Sequence, residues 1–435
     1  AKAAGDSAVE FRRDASGMPI FDGVAGHLDA FVDLILSDMS IEDLAYYADQ
    51  KSAGSPRKIE AGYTLPGTAA GGVDRVMGVS TDMPSMLALG QSWNKELVNE
   101  VGTVIGNERR GEVNLSDPNT LMYSAVSDMR TNPLSGRYEE GYGEDPVLAG
   151  TLVNEMAKGI TGYGEAGNED GFWLKAQLGT KHYTNYLAQW FRQSGQFDAS
   201  ARALNEYQLK SFLYPLQAGT VQSLMTTYGR TNGIPNHISP NIIRATNANP
   251  YNMMSVGDFV GADSNMTGGF NNGYQNYTDA EGKAALLLLS GNHANTFGST
   301  QADIVSAVTK GAYGVTRKEL EDNVRGQIEM WVRTGYFNEK NDDGSPVSYP
   351  FSELAKDRSP RNYSLSDSQS IALDASRESI VLLKNDDGVL PLDKSDKVAV
   401  TGLLADTRFK ATYSVSSTPS LPDAGLSPLG AIREA

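Results

Sequence analysis

FWLKAQLGT, residues 172–180, is a short and mainly apolar run that breaks off at a polar pair, Lys181 and His182. A run of this length, bounded by polar residues, reads as a buried strand. SLMTTYG (223–229) and YNMMSVGD (251–258) have the same form and lead to Tyr228 and Asp258. Helical periodicity around them predicts helices over 27–49, 94–110, 146–160, 200–217, 280–289 and 317–334. Strands interleaved with helices indicate an α/β domain with a parallel sheet, and the length suits a TIM-like (β/α)8 barrel. In such a barrel the chemistry gathers at the carboxyl ends of the strands, where Lys181, Tyr228 and Asp258 fall.

The chain has 435 residues, more than one ordinary domain needs, so a large domain and something smaller are expected. Residues 338–364, rich in Asp, Asn, Ser and Pro, suggest a surface connection, and 366–383 reads as a further helix. KVAVTG (397–402) looks like the first strand of a new α/β unit. The expected layout is a barrel over 1–360, a linker and helix over 361–393, and an incomplete unit over 394–435, since about 40 residues fall short of an independent domain.

The 37 basic and 53 acidic residues give a formal charge of −16, which repels nucleic acid and anionic lipid. Cysteine is absent, so disulfides, thiolate catalysis and cysteine zinc sites are excluded. The most apolar stretch, AALLLL (284–289), is far too short to span a bilayer, and AKAAGDSAVE at the start has no apolar leader. A soluble chain is expected, with a secreted and a cytoplasmic location both open. No phosphate loop or dinucleotide fingerprint is visible, and His27, His237 and His293 are not spaced as a metal cluster, so no cofactor or metal is expected. Satisfied or exposed histidines are the expectation at all three.

Asp258 ends the run MMSVGD and is followed by FVG, which puts a short carboxylate at a strand tip beside an aromatic residue. A helix cap or loop hydrogen bond is the plain alternative for such a residue. Several further blocks, in order, resemble glycoside hydrolase family 3. QSWNKELVNEVGTVIGNERR (91–110) is similar to the family's ATWD-type segment and helix, and NPLSGRYEEGYGEDPVLAG (132–150) to its DPR-x-GR…E…EDP block. GTKHYTNY (179–186) resembles the KHF strand end, SLMTTYGRTNGIP (223–235) the SYN-x-VNG-x-P strand and loop, and MMSVGDFVG (253–261) the VVSDWG strand. LLLLSGNHANTFGST (286–300) is similar to the AGTDL-type segment, and ASRESIVLLKNDDGVLPLDKSDKVAVTG (375–402) to the junction with a second, α/β-sandwich domain.

The resemblance implies a retaining exo-acting β-glycosidase that removes terminal glucosyl or xylosyl residues, with Asp258 as nucleophile. It places Arg137, Lys181 and His182 on hydroxyls of the terminal sugar, with Met225 and Tyr228 lining the same subsite. Phe259 stands where the family has a Trp and would offer a platform for the leaving group. Glu140, Glu144 and Asp145 read as carboxylates that orient Arg137 or cap a helix. Where the family carries a carboxylate that grips outer hydroxyls, GTAAGGV (67–73) puts Thr68 in line. That implies a different sugar, a weaker subsite, or a replacement from Asp74 or Asp82.

The family's acid/base is usually a Glu of the second domain, so it is expected from sequence beyond Ala435 or from another polypeptide. One branch uses a second His after KHF, but YTNYLAQWF (183–191) has none. By its residue type, Met225 reads equally well as core. A lysine Schiff-base aldolase is a rival for Lys181, but it calls for neither the KH pair nor the GR…E block. The rival from another class is a catalytically inactive carbohydrate-binding or scaffold protein on the same fold.

Overall fold

The computed structural model describes residues 9–49, 55–67, 81–113, 117–190, 192, 195–243, 254–257, 279–291, 300–355, 366–407 and 426–435. Four parallel strands, β1 (Met122–Val126), β2 (Leu178–Tyr183), β3 (Ser223–Thr226) and β4 (Met254–Gly257), lie side by side in chain order. Parallel neighbours need a crossover, and helices supply it between β1 and β2 and between β2 and β3. Every residue of β2 and β3 is buried, as in parallel sheets covered on both faces. The register aligns Val126 with Lys181, Lys181 with Met225, and Met225 with Val256. Polar side chains inside the sheet pair across it: the Tyr123 hydroxyl lies 2.7 Å from Ser223 Oγ, and Thr180 Oγ1 donates to Ala125 O at 2.5 Å.

The main helices are α1 (Leu28–Ser37), α2 (Ile41–Ala48), α3 (Met86–Ser92), α4 (Lys95–Glu112), α5 (Pro146–Thr161) and α6 (Lys210–Ala218), then α7 (Ala280–Ser290), α8 (Gln301–Lys310), α9 (Arg317–Arg333) and α10 (Ser366–Glu378). Helix α5 starts where Asp145 accepts from Val147 N and Leu148 N, with Pro146 at its first position, and stops at left-handed Gly162. It packs on α4 backbone to backbone. A Cβ at Gly102 would stand 2.4 Å from Met156 O, and one at Gly159 would stand 2.2 Å from Asn99 O, so only glycine permits this approach.

One core, centred on Leu152, Val153, Met156, Leu178 and Leu224, joins α4, α5 and α6 to the sheet. A second gathers Phe31, Ile35, Tyr47 and Trp331 from α1, α2 and α9. Burying a side chain such as Ile35 or Leu152 contributes roughly 1.5–3 kcal/mol.

The expected helices over 94–110, 146–160, 280–289 and 317–334 are present within one or two residues. Others differ for identifiable reasons. The 27–49 region is two helices, because Ser40 and Asp43 form a capping box that starts α2. The 200–217 region contains a π-helical turn at Leu204–Gln208. Residues 172–177 are not strand. The Asn168 side chain accepts from Trp173 N and donates to Trp173 O, Leu174 N donates to Arg333 O, and Lys175 N donates to Thr161 O, so their backbone groups are used by loops and helix ends. The helix expected over 366–383 stops at Glu378, 397–402 forms no strand, and a short helix, Pro428–Glu434, lies near the end of the chain. Among the described residues, no helix is long and apolar enough to cross a membrane.

Candidate active site

The carboxyl ends of β1, β2 and β3 carry the polar cluster. The ladder runs one residue past the strands, with Ser127 N donating to Lys181 O and Thr227 N to Tyr183 O, both at 2.9 Å. Ser211 of α6 fastens this end from behind, its hydroxyl donating to Ser127 O at 2.6 Å. Asp128, just past β1, is buried against β2. Its Oδ1 accepts from His182 N at 3.0 Å, and its Oδ2 lies 2.8 Å from His182 Nδ1.

The other ring nitrogen of His182, Nε2, lies 3.2 Å from Arg137 Nη1. A guanidinium can only donate, so Nε2 accepts and the ring proton sits on Nδ1, donated to Asp128. Arg137 in turn donates from Nε and Nη2 to the two oxygens of Glu140, each at 2.7 Å. This paired geometry holds a guanidinium in a single plane. The backbone supports it: Arg137 adopts a left-handed conformation, φ 49°, between Gly136 and the single turn Tyr138–Glu140.

Tyr186 closes one side. Its ring stacks on His182 at 4.6 Å and 22°, and the Arg137 guanidinium lies 6.0 Å from its centre. Burial pushes its hydroxyl up to about 12, so it remains a donor at neutral pH, and it donates to Gln189 Oε1. Lys181 is buried between Val126 and Met225 in the register, and the Lys181–His182 peptide is cis.

Of the residues singled out in the sequence, Arg137 and His182 are therefore in direct contact, with Lys181 next in the chain. Met225 packs against Leu121, Tyr123 and Met330, the core role left open above. Tyr228 is buried two residues beyond β3. Asp258 follows Gly257, the last residue of β4 and the partner of Thr226. Asp258, Phe259 and Thr68 lie outside the described residues, as do Asp74 and His293.

Glu140 orients Arg137 and Asp145 caps α5, as expected, while Glu144 accepts from the Tyr138 hydroxyl at 3.0 Å. His27 pairs with Asp22 at 2.7 Å. His237 departs from expectation, being neither exposed nor satisfied: it is buried, its Nε2 has no hydrogen-bond partner, and burial lowers it to about 4.

Sequence reasoning missed Asp128 and Tyr186. A signal for Asp128 existed, because LMYSAV (121–126) precedes it much as MMSVG precedes Asp258. Chemically, the cluster offers an oriented guanidinium, with a buried lysine next to His182, which suits ligands rich in hydroxyls. Among the described residues, no group of three or more His, Asp or Glu is placed to hold a metal ion.

Residues 25–265 match the model of the glycosyl hydrolase family 3 N terminal domain. The chain is 25% identical over 407 residues to beta-D-xylosidase 3 of Arabidopsis thaliana, covering 89% of this chain and 50% of that protein. It is 26% identical over 319 residues to beta-xylosidase/alpha-L-arabinofuranosidase 2 of Medicago sativa subsp. varia, covering 72% and 39%. Among solved structures, it resembles a GH3 exo-beta-xylosidase in complex with a xylobiose aziridine activity based probe, with TM-score 0.69, 21% identity, and 85% and 47% of the two chains covered. It also resembles a beta-glucosidase from Listeria innocua in complex with isofagomine, with TM-score 0.67, 21% identity, and 86% and 54% covered. These likenesses are to α/β folds, and the chain spans about half the length of the curated relatives it matches.

Proposed function

Because this chain belongs to glycosyl hydrolase family 3, we propose that it carries the nucleophile and the terminal-sugar subsite of a retaining, exo-acting β-glycosidase. The observation that carries this reading is the joined Asp128–His182–Arg137–Glu140 cluster at the carboxyl ends of parallel strands, on the side where β4 runs into Asp258. Four parallel strands adjacent in chain order are what a TIM-like barrel over 1–360 would contain, and barrel enzymes keep their chemistry at this end.

In the proposed reaction the Asp258 carboxylate attacks the anomeric carbon as the bond to the leaving oxygen breaks, and that oxygen takes a proton from a general acid. The resulting glycosyl ester is cleaved by water, whose proton returns to the same acid/base, so the β configuration is retained. Arg137 and Lys181 hold hydroxyls of the terminal sugar, His182 joins them where a sugar hydroxyl replaces Arg137 at its Nε2, and Tyr228 and Met225 stand behind them with Thr68 and Phe259 at the edges. Each bond from a cationic donor is worth roughly 1.5–3 kcal/mol. The names of the relatives favour xylosyl and glucosyl units.

The acid/base comes from the sandwich domain that 394–435 begins, or from another polypeptide. Support comes from the linker and the stretch beyond it, where Leu383 is 91% and Leu403 97% exposed. Such side chains favour a covering partner.

Assaying aryl β-xylosides and β-glucosides with the enzyme and its Asp258→Ala variant tests this. Release of the aryl group should disappear in the variant and return in part on adding azide, which replaces the missing nucleophile. Turnover near the wild-type rate in Asp258→Ala would overturn the assignment.

A further inference from the structure

Trp190 is 80% exposed, although an indole ordinarily gains from burial. The residue before it is firmly tied. Gln189 N donates to Ser135 O at 2.7 Å, its side chain accepts from the Tyr186 hydroxyl, and Arg192 Nη1 donates to its carbonyl at 3.3 Å. The fit requires glycine at 136, where φ is +67° and a Cβ would stand 2.6 Å from Gln189 Cβ. Gln189 is thereby locked onto the loop that carries Arg137, and the next residue presents its ring to solvent. Trp93, which is 77% exposed, stands elsewhere, at the end of α3 next to Asn94, whose side chain reaches Glu378 at the end of α10.

The groups that would grip a terminal sugar, Lys181 and His182, are buried, and so is Tyr186 behind them. A flat apolar ring displayed next to a residue locked on the Arg137 loop suits a further sugar unit, since the faces of pyranose rings are lined by C–H groups that stack on aromatic surfaces. We propose that Trp190 is a stacking platform for the sugar unit on the leaving-group side, making the site selective for β-linked disaccharides and longer chains over simple glycosides. This rests on the glycosidase reading for its substrate class. Its energetic source is separate from that of the terminal subsite.

Calorimetric titration with non-hydrolysable thio-linked xylobiose and cellobiose, and with xylose and glucose, tests the proposal on the wild type and on Trp190→Ala and Trp190→Phe. Trp190→Ala should weaken binding of a disaccharide by about tenfold and leave the monosaccharides within about twofold, while Trp190→Phe keeps most of the affinity. Equal losses for mono- and disaccharides would reduce Trp190 to a loop-forming residue and overturn the proposal. No loss in Trp190→Ala, or no disaccharide binding by the wild type, would also overturn it. Trp190-dependent disaccharide binding without turnover of any aryl glycoside would sustain the platform and sink the catalytic reading instead. Normal turnover with disaccharide binding indifferent to Trp190 would do the reverse.

Discussion

Replacing His237 by phenylalanine should remove a large part of the acid sensitivity of the fold. His237 lies in the short turn Asn236–Ile238, fully enclosed, with Nε2 lacking a hydrogen-bond partner. Burial lowers it from 6.5 to about 4. Because the folded value is depressed, the folded state resists protonation that the unfolded chain accepts freely. Its stability is therefore unaffected above pH 6.5 and is lost as pH falls from 6.5 toward 4. At about 1.4 kcal/mol per pH unit, the gap amounts to about 3 kcal/mol, of which roughly 2.5 kcal/mol is already lost at pH 4.5.

Neighbouring bonds connect this loss to the site. Asn236 Nδ2 donates to Thr184 O at 2.7 Å and to Thr227 Oγ1 at 2.6 Å, tying together the residues just after β2 and β3. Urea unfolding at pH 7.5 and pH 4.5 gives the measurement. Carboxylates titrate alike in both proteins, so the difference between the two pH dependences isolates His237. The wild type should lose about 2.5 kcal/mol more than His237→Phe over this range, and His237→Gln, polar but not titrating, should resemble the Phe variant. Parallel pH dependences in all three proteins would refute the reasoning.

Glu140→Gln removes the charge that grips Arg137 by two bonds of 2.7 Å. We expect kcat/KM for an aryl glycoside to fall roughly tenfold to hundredfold. The urea midpoint should fall as well, by about 1–3 kcal/mol of stability, because the two side chains are only 18% and 13% exposed and the guanidinium is left with a weaker partner. Unchanged kinetics would show that Arg137 needs no such orientation. Gly136→Ala forces a Cβ to within 2.6 Å of Gln189 Cβ at φ +67°. It should cost about 1–3 kcal/mol of stability and lower kcat/KM with it, as read by unfolding and by assay. A variant equal to wild type in both would show that the Arg137 loop and the Gln189 loop are not locked.

The parts of this fold legible in sequence are those decided locally. Lys181 and His182 stand at the end of a strand because an apolar run stops at them, and Asp145-Pro146 announces α5 through its own capping chemistry. The break between α1 and α2 was also local, written in Ser40 and Asp43, but continuous apolar periodicity across 27–49 concealed it. What was not legible depends on distant partners. Asp128 reads as an ordinary loop carboxylate until β1 and β2 pair and bring it to a ring 54 positions later. Residues 172–177 look like strand, yet Asn168, Thr161 and Arg333 take their backbone groups first. KVAVTG has strand composition, but a strand needs neighbours for its ladder, and 397–402 pairs with none of the described strands.

The central claim, that Asp258 is the nucleophile, is tested most directly by trapping it. A 2-deoxy-2-fluoro β-xylosyl or β-glucosyl fluoride carries a leaving group that needs no protonation, while the fluorine at C2 slows both steps, so the glycosyl ester accumulates even without an efficient general acid. Proteolysis and mass spectrometry of the treated protein should find one fluorosugar on the peptide containing Asp258, and none in Asp258→Ala. A fluorosugar attached to another residue, or turnover of an aryl glycoside without any trapped ester, would contradict it.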